Sequence, residues 1–72
     1  MNYQIEIWQL GNLVAQESFD RLEPAKRLYR RFIRDDDYGV EVYVRGKRLR
    51  APQAWKLMGG NSYDLFFYGG RL

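Results

Sequence analysis

The chain contains no cysteine and no histidine. Disulfide staples, thiol redox chemistry, structural zinc sites, haem ligation and any nucleophile dependent on a His base are excluded. Ser18 and Ser62 are its only serines, and neither has a base nearby in sequence. Its two prolines, Pro24 and Pro52, leave most of the backbone free to form regular elements. Gly59-Gly60 and Gly69-Gly70 are isolated pairs, without the spacing of a phosphate-binding loop. No apolar run approaches 18 residues, so no membrane-spanning helix is expected. Met1-Asn2-Tyr3-Gln4 lacks a basic region followed by an apolar run, so no signal peptide is expected either. The expected location is the cytoplasm.

What is present fits one small domain over residues 1–72. Ordering a chain this short costs about 1.5 kcal/mol per residue, so its core must be efficient. Aromatic residues make up 17% of it, more than one small core needs. The formal charge is +3, unevenly spread. Residues 1–25 set Glu6, Glu17, Asp20 and Glu23 against Arg21. Residues 26–50 hold nine cations against Asp35, Asp36, Asp37 and Glu41. Arginine outnumbers lysine nine to three, which suits planar contacts with carboxylate or phosphate.

Tyr3, Ile5 and Ile7 alternate with polar residues, the period of a half-buried strand. Turn chemistry follows, and then a second strand from Leu13 to about Ser18. A three-residue loop, Leu10 to Asn12, is preferred over a Gly11-Asn12 turn. It puts Leu13, Ala15 and Phe19 on the face of Tyr3, Ile5 and Ile7, and Trp8 with Val14 on the other. A helix is expected from about Arg21 to Arg34, opened by an Asp20/Glu23 capping box with Pro24 in its first turn. Leu22, Ala25, Leu28, Tyr29, Phe32 and Ile33 form its apolar stripe, with Lys26, Arg27, Arg30, Arg31 and Arg34 opposite. Gly39 is expected as its left-handed stop.

Val40, Val42 and Val44 alternate with Glu41, Tyr43 and Arg45 in a third strand, followed by a Gly46-Lys47 turn. Pro52 near the start and Gly59 at the end frame a short helix. Tyr63 to Tyr68 reads as a last strand, with residues 69–72 as a tail. The fold class is therefore α+β: an antiparallel sheet of three to four strands with one amphipathic helix on one face, in the order ββαβ, short helix, β.

Three features can carry contacts. The helix presents Arg27, Arg30, Arg31 and Arg34; the hairpin presents Arg45, Lys47 and Arg48; the sheet face away from the helix presents Trp8 and Tyr43. Phe66 or Tyr68 can join that face, and so can residues 51–62, which would instead cover it with a second small core. The run Asp35–Asp37 lacks the spaced ligands of a hard-cation loop. No catalytic site, metal site or cofactor site is expected.

Two partner classes remain open. Arginines and exposed aromatics suit a protein with acidic surface groups. The same cations can dock phosphates, with aromatics stacking bases, so a nucleic-acid-binding domain is the alternative. A homodimer through the sheet or an edge strand is a third reading.

Tyr3-Gln-Ile-Glu-Ile-Trp, the turn, Leu13 to Ala25, the helix and Val40-Glu-Val-Tyr-Val together resemble the ββαβ pattern of small phage and mobile-element proteins, anti-CRISPR proteins among them. The resemblance covers about residues 3–50 and is one of architecture and size. It implies a non-enzymatic inhibitor of a host complex, acting by surface blocking in the host cytoplasm. Many such inhibitors are acidic nucleic-acid mimics; this chain's basic helix and hairpin depart from that pattern.

Overall fold

The computed structural model describes residues 2–59. The expected strand Tyr63–Tyr68, the tail after it, and Phe66 and Tyr68 lie outside the described residues.

Alternating apolar residues build the sheet as their period requires. Strands β1 (Tyr3–Gln9), β2 (Asn12–Phe19), β3 (Gly39–Val44) and β4 (Lys47–Arg48) form one antiparallel sheet in the order β2-β1-β3-β4. Helix α1 (Leu22–Ile33) crosses between β2 and β3. A four-residue helix α2 (Ala51–Ala54) runs directly into a π-helical turn, Trp55–Gly59. The α+β class and the helix on one sheet face hold.

Ile5, Ile7 and Val42 are fully buried, on the sheet face that meets α1. Residues opposite each other in a ladder share a face. Tyr3 lies opposite Phe19 and Val44, Ile5 opposite Glu17 and Val42, and Ile7 opposite Ala15 and Val40. From α1, Ala25 and Tyr29 close the core, with Leu22, Leu28, Phe32 and Ile33 half-buried around them. Ala54 and Met58 belong to this same core. Residues 51–59 therefore pack on the helix side, and the second small core over the other face is not formed by them.

Several local expectations are corrected. The first hairpin turns on two residues, Leu10 and Gly11, with φ of 52° and 80°. Positive φ at both central residues is the type I′ geometry that matches strand twist. Gln9 then pairs with Asn12 and Trp8 with Leu13, and a bulge at Val14 restores the Ile7–Ala15 register. Leu13 thus shares a face with Trp8, not with Ile7. The second hairpin repeats the device: Arg45 and Gly46 turn at φ 52° and 83°, one residue earlier than Gly46-Lys47.

The N-cap of α1 is Arg21, without a side-chain cap, rather than Asp20. Pro24 sits at the third helical position and has no N–H for a capping oxygen to accept. Gly39 opens β3 instead of stopping the helix. The stop is Asp35, whose side-chain oxygen accepts the Asp37 N–H at 3.0 Å while its carbonyl accepts the Tyr38 N–H at 3.1 Å. This Asx turn keeps the acidic run outside the last helical turn. Phe32 and Tyr38 meet edge to face at 5.1 Å across it.

Candidate functional site

The sheet face away from α1 is built by the residues between the buried ones. Its rungs follow from the register. Arg48, Tyr43, Gln4 and Ser18 form the first; Glu41, Glu6 and Gln16 the second; Gly39, Trp8 and Leu13 the third. This open face therefore runs from a basic end at the second hairpin, through an acidic centre, to an apolar end at the first.

Glu6 organises the centre. Its two carboxylate oxygens accept hydrogen bonds from Gln4 Nε2 at 3.1 Å and Trp8 Nε1 at 3.2 Å. The indole is thereby held in one orientation. Glu6 lies directly opposite Glu41 on β3, a like-charge rung that costs stability. Arg48 Nη1 donates to Glu41 Oε1 at 3.2 Å and offsets part of that repulsion. Both groups are solvent-exposed, so the pair itself contributes little, about 0–1 kcal/mol. The Tyr43 phenol is raised above its usual range, first by desolvation, then by the Glu6 and Glu41 charges.

The apolar end holds a feature that periodicity did not single out. Leu10 is 93% exposed, Leu13 44% and Val14 50%, all at the tip of the first hairpin. Leu10 sits there in a left-handed backbone conformation that costs an aliphatic residue about 1–2 kcal/mol. The readable signal was Leu-Gly at a two-residue turn, where Asn-Gly is the unstrained pair.

The nine residues expected to bind do not share one surface. Trp8 and Tyr43 lie on the open face, with Arg48 beside Tyr43. Arg45 and Lys47 are exposed at the second hairpin. The helix cations belong to the opposite side of the molecule. There Arg27 and Arg31 are exposed, and Arg31 lies 6.0 Å from the Phe32 ring centroid. Arg30 is committed internally: its Nε–H donates to the Gly59 carbonyl at 3.2 Å, tying α1 to the π-helical turn. Arg34 is the C-cap residue of α1. A flat partner can meet the open face or the helix stripe, but not both.

A groove of about 300 Å³ lies between α1, the outer edge of β3 and the link into α2. Its walls are mainly apolar, from Tyr29, Ile33, Val40, Val42 and Leu49, with Glu41, Arg48 and Arg50 also lining it. Among the described residues, no group of three carboxylates converges as a metal site would need. Among them also, no helix is long and apolar enough to cross a membrane.

No family model, no curated protein and no solved structure matches this chain.

Proposed function

We propose that this chain is a small non-enzymatic protein-interaction module that acts by occupying a partner's surface with the open face of its sheet. Leu10 carries the proposal. A large aliphatic side chain stands 93% exposed on a strained backbone, where glycine or asparagine would relieve the strain. Leu13 and Val14 extend the apolar tip, and Trp8 adds an indole fixed by Glu6. Apolar and aromatic anchors beside polar groups are the usual make-up of a binding hot spot.

Charge refines the partner. The Glu6–Glu41 centre favours cationic groups on the facing surface, and Arg45, Lys47 and Arg48 favour acidic groups at the other end. The same carboxylates repel phosphates, which weighs against base stacking on Trp8 and Tyr43. Surface blocking of a host complex, the use implied by the phage-protein resemblance, is one form of this activity. Nucleic-acid binding would have to use the opposite side, through Arg27 and Arg31.

Capture from a lysate, with and without nuclease, tests the choice. A protein should be retained after nuclease, lost with Leu10→Asn combined with Leu13→Ser, and kept by Arg27→Ala combined with Arg31→Ala. Capture that disappears with nuclease, or with the helix variant alone, would replace the open face by the basic stripe.

A further inference from the structure

We infer that the groove between α1 and β3 is a docking site for a later segment of the same chain, and that Tyr63–Tyr68 seats there beside Val40. The groove opens along an unfinished ladder. The Arg45 N–H donates to the Asn2 carbonyl at 2.9 Å, so Tyr43, Glu41 and Gly39 turn their backbone groups to β1. Val44, Val42 and Val40 turn theirs the other way. Val44 meets Lys47 of β4, and the Val42 carbonyl accepts the Leu49 N–H at 2.8 Å. The chain then leaves this edge at Arg50 to enter α2. Val40 is next in line, half-buried, and no described residue pairs with its outward N–H and C=O. It lines the groove together with Tyr29, Ile33 and Leu49. An extended segment laid here would complete the hydrogen bonds of Val40 and cover an apolar wall.

The chain itself leads to this place. Ala54 lines the groove, and the π-helical turn ends one turn further on, at the buried Gly59. Arg30, the neighbour of Tyr29 on α1, holds the Gly59 carbonyl at 3.2 Å. The chain therefore continues from a point fixed beside the groove. Gly60-Asn61-Ser62 can reach about 10 Å when extended. Tyr63-Asp64-Leu65-Phe66-Phe67-Tyr68 follows at once. Its alternation supplies one face of Tyr63, Leu65 and Phe67 for the apolar walls. Asp64 is the one acidic residue after Glu41, and the groove sets Arg48 and Arg50 against Glu41 alone. A tether this short gives an effective concentration in the millimolar range, which a second copy or a separate partner would have to exceed.

NMR on the full chain tests the inference. The Leu65 methyl groups should show nuclear Overhauser contacts to the methyl groups of Val40 and Ile33. The Val40 amide should exchange with deuterium at least about tenfold more slowly than in Leu65→Ser combined with Phe67→Ser. The Glu41 amide, which faces β1 in either chain, should change far less. Where the double variant does not fold, the Leu65 contacts decide alone. Leu65 without contacts to the groove, or a Val40 amide that exchanges alike in both chains, overturns the inference and leaves the groove to another occupant. An equal rise at Val40 and Glu41 overturns it too, since the loosening is then general. Contacts found only between labelled and unlabelled copies in a mixed sample assign the groove to a second chain, and also overturn it. The open face enters neither readout, so its partner stands or falls separately.

Discussion

Replacing Leu10 by Asn should make the protein more stable. Leu10 holds φ at 52° in a type I′ turn whose second residue, Gly11, is already suited to positive φ. Left-handed backbone costs an ordinary residue about 1–2 kcal/mol, and asparagine tolerates it through local hydrogen bonding. Against this stands the lost burial of the leucine side chain. At 93% exposure almost none of it is out of water, so at about 25 cal/mol per Å² the loss stays below about 0.5 kcal/mol. The balance favours the variant by about 1 kcal/mol. For a domain of this size that raises Tm by about 4–8 °C. Urea denaturation followed by the fluorescence of Trp8 and Trp55 reads the same difference as a higher midpoint at unchanged slope. Arg45→Asn is the matching change at the opposite end of the sheet, also exposed and also at φ 52°. The two gains should add to within about 0.5 kcal/mol. A midpoint that falls in Leu10→Asn would mean the side chain is held by contacts within the domain. The hairpin tip would then lose its standing as an anchor for a partner.

Two further outcomes follow from the core. Gly59→Ala places a Cβ 3.0 Å from the Trp55 ring, a tight contact that the packed ring must relieve by shifting a few tenths of an ångström. The variant should lose about 1–3 kcal/mol by urea denaturation, and an unaltered midpoint would mean the ring moves freely aside. Tyr29 is 2% exposed, and burial pushes its phenol up to about 12. Its proton is held more tightly in the folded state than in the unfolded chain, where it leaves near 10. That contribution is complete below pH 10 and is lost as pH rises through 12. Tyr43 is shifted in the same direction. Urea midpoints measured across this window should fall, and less steeply in Tyr29→Phe; equal slopes would remove Tyr29 from the account.

Much of the fold was readable because its signals are periodic. Tyr3, Ile5 and Ile7, then Val40, Val42 and Val44, alternate strictly, and the α1 stripe repeats at helical spacing. Those sets contain five of the seven buried residues of the described core; Ala54 and Met58, from the segment expected over the other sheet face, are the exceptions. The turns were harder, and both expectations failed alike. Each set the reversal too far along the chain, ending it on Asn12 and on Lys47, while the structure pairs both residues in strands and turns on Leu10-Gly11 and Arg45-Gly46. The strand twist selects that geometry, and the Val14 bulge absorbs the offset so that Ile7 still meets Ala15. The candidate surface was half legible for a related reason. Trp8 and Tyr43 follow from alternation, but Leu13 changes face across a bulge that composition does not announce. Arg30 looked like its neighbours on the helix, and only the packing of the π-helical turn shows that it is occupied.

The order β2-β1-β3-β4 has a consequence for biosynthesis. The strand made first is an inner one, and its second neighbour, β3, starts thirty residues after β1 ends. At about 5–20 residues per second, a nascent chain waits seconds for β3. The β1–β2 hairpin can close in about 1–10 μs, so it can form and reopen many times in that interval, marginally stable on its own. During it, Ile5 and Ile7 face water, covered by neither α1 nor the rest of the sheet. The strain at Leu10 is borne by this early hairpin, before any other part of the domain can help hold it.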